Sequence, residues 1–294
     1  PYDMQVKLKM RQVLDLFQQS SIKNFKFLGI EKSPDKFQYR NKMEFTFGDE
    51  QKGGPLTLGM HMKGKAFGIV NVDRCKIVDE DFNLILNKTV LYFREKKLSY
   101  SRVRSHRGFL RNLVIRKGKN TGEILINIVT TSQIDFDFTE ITEILKDLNY
   151  SGKLKGILHT INDSLSDTVK NDSIEILYGN GFIIEKILGL KFKIYPQSFF
   201  QTNSRGTEKL YDIIKNFIGD SSSKTIFDLY CGTGTIAQIL SSHAKKVIGV
   251  ELVKEAVKSA RENAVLNNIG NCSFIVGDVL NVIKTLEDKP DIIV

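Results

Sequence analysis

Cysteine is scarce in this chain, and the spacing of what there is excludes more than the count. Among 294 residues only Cys75, Cys231 and Cys272 occur. No two lie close together, which gives neither a disulfide framework nor a complete metal site and points to a reducing compartment, the cytoplasm. Any run of about 18 apolar residues is also missing, as is a secretory signal, so neither membrane insertion nor export is expected. No internal repeat or low-complexity segment occurs, and Ser221–Ser223 reads as a short loop. Acidic residues are thin in one half only. Residues 1–127 hold 25 Lys or Arg against 13 Asp or Glu, while residues 128–294 hold 18 against 21. The formal net charge of +9 therefore sits at one end of the chain. That asymmetry suits a polyanionic partner, nucleic acid above all, with a solvated basic face as the plainer alternative.

What is present is organised around Thr225–Thr235, T-I-F-D-L-Y-C-G-T-G-T. Ile226, Phe227 and Leu229 make a short buried strand that ends at an acidic residue. Gly232 and Gly234 then let the backbone approach a ligand, and Ile236–Ser242 opens a helix. Val247–Val250 forms a second strand ending in Glu251, the place from which a carboxylate grips ribose hydroxyls. Phe274–Val276 forms a third, running into Gly277 and Asp278, and Asp291–Val294 starts a fourth. Strand alternating with helix in this way predicts a doubly wound parallel sheet with its ligand at the carboxyl ends of the strands. The fingerprint differs from that of dinucleotide enzymes in having two loop glycines and Asp228 at the strand end. An acidic residue there would repel a pyrophosphate, so a cofactor without phosphates fits better, namely S-adenosylmethionine (SAM).

Length suggests two domains. Tyr2–Gln19 reads as a helix with an apolar stripe that needs a partner. From Phe37 to Phe47 the period is two, with Phe37, Tyr39, Met43, Phe45 and Phe47 on one face and Arg40 and Lys42 on the other. Leu56–Met62 and Ala66–Val72 read as strands around a basic turn, and Asp79–Lys97 as a helix. Asn112–Arg116 and Glu123–Thr131 form a strand pair, Thr139–Leu148 a helix, and Gly156–Asn162, Ile174–Leu177 and Phe182–Ile187 further strands. Residues 34–194 are thus one mixed, largely antiparallel α+β domain. Arg94–Lys119 holds ten Lys or Arg against the single Glu95. Lys96, Lys97, Arg102, Arg104, Arg107, Arg111, Arg116, Lys117 and Lys119 are candidate phosphate contacts, with Tyr100, His106 and Phe109 interleaved as base platforms. Pro196–Asn203, P-Q-S-F-F-Q-T-N, leads into a helix over Ser204–Ile218.

With P-Q-S-F-F-Q-T-N, D-L-Y-C-G-T-G-T and G-V-E in that order, and with Tyr39-Arg40-Asn41-Lys42, the Leu110–Arg116 strand and Asn120-Thr121-Gly122-Glu123 before them, nearly the whole chain resembles the SAM-dependent RNA 5-methyluridine methyltransferases. The likeness is nearest to the ribosomal-RNA members of Gram-positive bacteria. It implies a Rossmann-like SAM domain, cut short here, behind a central RNA-binding domain: residues 1–33 as a helical segment packing on the methyltransferase domain, 34–194 as the central domain, and 195–294 as the first part of the SAM domain. It implies cofactor contacts from Gln201, Tyr230, Gly232, Gly234, Thr235, Glu251 and Asp278. It also matches Cys75 to the fourth ligand of a [4Fe-4S] cluster whose other ligands precede residue 1, where the residue alone reads as a packed core cysteine. Cys231 and Cys272 read as structural. The family's reaction is thiolate attack on uracil C6 followed by methylation at C5. The nucleophile and base are expected beyond Val294, so no catalytic residue is assigned and the chain alone is expected to be an inactive monomer. The rival readings are a SAM enzyme acting on another nucleobase, and a basic RNA-binding module with a vestigial SAM fold.

Overall fold

The computed structural model describes residues 1–22, 24–65, 67–102, 105–164 and 173–294. Seven strands, β1 (Lys42–Gly48), β2 (Thr57–His61), β3 (Ile69–Asn71), β4 (Leu110–Lys117), β5 (Glu123–Thr130), β6 (Lys153–Ile161) and β7 (Ser173–Gly179), build one sheet in the order β3-β2-β1-β4-β5-β6-β7. Every pair is antiparallel except β5 with β6. Met43, Phe45 and Phe47 of β1 are buried while the residues between them are half-buried, as the period of two demands. A slip of one residue would turn all three rings and chains out of the core, which fixes the register.

Helices α2 (Glu80–Glu95) and α3 (Thr139–Lys146) cover one face of the sheet. Asp79 caps α2, its carboxylate accepting from the Asp81 amide at 3.1 Å, and Glu80 and Asp81 place negative charge in the first turn. Phe82, Ile85, Leu86 and Phe93 are fully buried against β1, β4 and β5. Each contributes about 1.5–3 kcal/mol of transfer free energy. By contrast α1 (Tyr2–Gln19) buries no residue. The stretch after it is tied to the rest of the chain by Lys209 to Glu31 and by Asn203 Nδ2 donating to Ser33 Oγ at 2.9 Å.

The second half is a parallel sheet of β10 (Ser221–Leu229), β11 (Ala244–Glu251), β12 (Cys272–Val276) and β13 (Ile292–Ile293), in the order β12-β11-β10-β13. Helices α4 (Ser204–Ile218), α5 (Thr235–Ser241), α6 (Lys254–Leu266) and α7 (Val279–Thr285) alternate with the strands, giving the Rossmann-like architecture expected from the sequence. Between the two sheets lies a hairpin, β8 (Ile183–Ile187) with β9 (Leu190–Ile194). It shares a core with Leu125 and Leu158 of the large sheet and with Tyr211 and Ile239 of α4 and α5.

Three readings need correction. The period-two stretch does not start at Phe37, because Gln38 sits at φ +51 and breaks the extended backbone before β1. The sequence reading carried no strand between Ile187 and the linker, yet Leu190–Ile194 folds back on β8, with Leu188 and Gly189 turning at positive φ. Ser221–Ser223 is not a loop but the start of β10. Ser221 is buried, its hydroxyl donating to the His243 carbonyl at 2.6 Å.

Candidate cofactor site

Parallel pairing sets the site. Asp228 lies opposite Gly249 and Glu251 opposite Val276, so the carboxyl ends of β10, β11 and β12 stand side by side, about 5 Å from strand to strand. Tyr230, Glu251 and Asp278 follow from that edge. After β10 the chain reverses through Tyr230 at φ +61, Gly232 at φ +54 and Gly234 at φ +70. At Gly234 a Cβ would lie 2.5 Å from Phe274 Cε1, so only glycine lets the loop close on the sheet.

Glu251 ties this loop together. Its Oε2 accepts from the Gly232 amide at 3.0 Å and its Oε1 from the Val253 amide at 2.9 Å. Tyr230 is 70% exposed beside the loop. Thr235 begins α5 and is buried, its hydroxyl 3.4 Å from that of Thr233. Asp278 is exposed and caps α7, accepting from the Asn281 amide at 3.1 Å. Gln201 is also exposed, its backbone carbonyl accepting from Asn41 Nδ2 at 2.9 Å. The structure thus joins Gly232 and Glu251 by a direct bond. Gln201 and Asp278 make no hydrogen bond to them among the described residues.

Asp228 is buried under the loop, Oδ2 accepting from the Ala237 amide at 3.0 Å. Burial pushes its pKa up to about 7, the Ala237 bond opposing and the Glu251 charge adding. Burial and then the charges of Asp228 and Glu251 push the Cys231 thiol well above its ordinary range, and burial pushes Cys272 up to about 12. Burial thus favours the thiol over the thiolate, the nucleophilic form, at both positions. With Asp228 buried beneath it, the edge presents the carboxylates of Glu251 and Asp278, groups that can accept hydrogen bonds from hydroxyls and amino groups and that repel phosphate. That set of acceptors fits a nucleoside cofactor without a phosphate chain.

Cys75 is half-buried against the α2 core, its amide donating to Asn83 Oδ1 at 3.2 Å. No group of three His, Cys, Asp or Glu side chains among the described residues is arranged to hold a metal, so the described residues offer a cluster one thiol and no more.

The basic segment divides. Arg102, His106 and Arg107 are exposed, and Arg102 lies over the Tyr100 ring at 5.3 Å. Arg104 lies outside the described residues. Several of the remaining cations are engaged within the protein. Lys117 pairs with Asp79 and Asp81, both at 2.7 Å, and Lys96 with Glu140 at 2.6 Å. Arg111 donates to the carbonyls of Asn162 and Ser164. Arg116 is 2% exposed and Phe109 1%, so neither reaches a ligand from the surface as the sequence reading had it. Alternation carries the missed signal for Arg116, which shares a face of β4 with the buried Val114.

A family description reading "Methyltransferase domain" matches residues 220–294. The fold is that of a Rossmann-like methyltransferase domain. An uncharacterized RNA methyltransferase of Clostridium tetani is 62% identical over 294 residues, covering 100% of this chain and 64% of that protein. Another, of Bacteroides thetaiotaomicron, is 31% identical over 312 residues, covering 100% of this chain and 68% of that one. The chain belongs to this family of RNA methyltransferases. Among solved structures, the tRNA (uracil-54, C5)-methyltransferase of Pyrococcus abyssi in complex with S-adenosyl-L-homocysteine aligns with a TM-score of 0.75 and 25% identity, covering 95% of this chain and 63% of its own. The chain spans 64% of the Clostridium tetani relative. No helix among the described residues is long and apolar enough to cross a membrane.

Proposed function

We propose that this chain is the central and cofactor-binding part of a SAM-dependent methyltransferase acting on C5 of uridine in RNA, ribosomal RNA first. The observation that carries the reading is the Gly232–Glu251 bond at the carboxyl edge of the parallel sheet, supported by the likeness to a uracil C5 enzyme along 95% of the chain. Residues 34–194 form the RNA-binding domain, 195–294 the cofactor domain, and 1–33 a segment tied to the latter through Glu31 and Ser33. SAM, when bound, supplies an electrophilic methyl group. Glu251 accepts from its ribose hydroxyls, Tyr230 flanks its methionine part, and Asp278 accepts from its adenine amino group. Gly232 and Gly234 admit it to the backbone, Thr235 lines the loop, and Gln201 reaches in from the linker. The excess positive charge of residues 1–127 draws in the RNA backbone, a long-range and salt-sensitive attraction.

Uracil C5 is a poor nucleophile until a thiolate adds at C6. Burial pushes the Cys231 and Cys272 thiols toward the protonated form, which disfavours either as the attacking thiolate. The test is mass spectrometry of nucleosides from ribosomal and transfer RNA of a strain lacking the gene. Loss of a 5-methyluridine is expected. Retention of every 5-methyluridine with loss of a different methylated base would overturn the reading.

A further inference from the structure

Gln201 stands in Pro196–Asn203, a stretch with no helix or strand of its own, so its direction is set by whatever grips the backbone around it. Phe200 is buried and its ring packs 6.1 Å from that of Phe192, while Phe199 and Gln201 face outward. Further grip comes from β4 and from the residue just before β1. Arg116 Nε donates to the Pro196 carbonyl at 3.1 Å and its Nη2 to the Ser198 carbonyl. Asn41 Nδ2 donates to the Gln201 carbonyl and to Ser204 Oγ, both at 2.9 Å, and the Asn41 amide donates to the Thr202 carbonyl at 2.8 Å.

Arg116 is an expensive way to hold a loop. It is 2% exposed, its cross-strand neighbour is Lys42, a like charge, and Glu44 is the only opposite charge that acts on it among the described residues. Burial pushes its pKa down to about 10. A buried cation satisfied by carbonyls is less stable than a packed hydrophobe of the same volume, and what it offers in exchange is a fixed geometry.

We propose that Arg116 and Asn41 are positioning residues, which act through the backbone of Pro196–Asn203 to aim Gln201 at the cofactor on the Gly232–Glu251 loop. The inference rests on the function proposed above. It makes cofactor binding depend on a strand of the other sheet, since β4 carries Arg116 and the residue preceding β1 is Asn41.

The experiment is a double-mutant cycle read as the calorimetric Kd for SAM, in the parent chain, Arg116→Met, Gln201→Ala and the pair. Arg116→Met should weaken binding about 10-fold in the parent background and hardly at all where Gln201 is already Ala. Arg116→Lys, which keeps the charge and a donor group but not the planar fork, should recover part of the loss. Equal weakening in both backgrounds, or none, overturns the inference, because a merely structural arginine has no reason to act through Gln201. Should Arg116→Met fail to fold, Asn41→Ser takes its place in the same cycle with the same two outcomes. A parent chain that binds no SAM overturns the proposed function and this inference with it. A parent that binds, with no coupling to Gln201, overturns this inference alone.

Discussion

Alanine at Gly234 and at Gly232 should do opposite things, although the two glycines lie in one turn. Both sit at positive φ, +70 and +54, and a left-handed backbone costs an ordinary residue about 1–2 kcal/mol. Only Gly234 is also crowded. A Cβ there would lie 2.5 and 2.7 Å from ring atoms of Phe274 and 2.9 Å from the Ala260 methyl. Phe274 is 4% exposed and packed with Ala237, Val247 and Ala260, so it has nowhere to retreat. Overpacking of this kind adds about 1–3 kcal/mol. Gly234→Ala is therefore expected to lose roughly 2–5 kcal/mol of stability, whereas Gly232→Ala, with nothing within 4 Å of the new methyl, should lose roughly 1–2 kcal/mol. Cofactor affinity should reverse the order. If SAM meets the backbone at Gly232 as proposed, the methyl added there projects into its place, and SAM binding should fall about 10-fold, the order of one lost close contact of about 1.4 kcal/mol. Urea titration followed by circular dichroism gives the first ranking and calorimetry the second. Equal stability losses, or a larger loss at Gly232, would refute the packing argument.

Other expectations follow from individual side chains. The Asp228 carboxyl has its folded pKa raised to about 7, so the folded state holds its proton more tightly than the unfolded chain does. Its contribution to stability is complete below about pH 4 and is lost as the pH rises through about 7. Asp228→Asn should accordingly flatten the fall in stability between about pH 4 and about pH 7 measured by urea titration, and an unchanged profile would show that the carboxyl ionises freely. Cys231→Ala should leave SAM affinity intact, and the 294-residue chain should transfer no label from SAM to unmodified ribosomal RNA. Label in 5-methyluridine that vanishes with Cys231→Ala would make this thiol the nucleophile. Replacing exposed Arg102 and Arg107 together by Gln should weaken binding of many RNAs and lower the salt slope by about 2, one per lost phosphate contact. The parent's slope in the double variant would reduce both to solvated cations.

How much of this could be read from the residues depended on what fixed each feature. The β10 turn was legible because local rules govern it: an apolar run, a strand-end acid and two spaced glycines have few other uses. Strand β1 was legible through Met43, Phe45 and Phe47, one buried face at period two. Glu251 was placed at the end of its strand, but its bonds to Gly232 and Val253 depend on how two strands lie beside each other, which no spacing along the chain reveals. Counting charges misjudged Arg116 and Lys117, because a cation's partners are set by tertiary contact. Asp79 and Asp81 lie 38 and 36 residues from Lys117, and the carbonyls that Arg116 holds lie 80 and 82 residues away. Strand β9 was hidden for the same reason, its Leu, Phe and Ile alternation being too short to stand out without β8 beside it.

The claim on which everything else rests is that the loop between β10 and α5, with Glu251 across from it, is a SAM site. Calorimetric titration of SAM into this chain, beside Glu251→Ala, tests it most directly. The parent should bind at one site per chain, and the variant should bind more weakly by about 1–3 kcal/mol, the loss of a charged acceptor for ribose hydroxyls. Absence of any binding heat in the parent, confirmed by equilibrium dialysis, or equal affinity in parent and variant, would contradict the account.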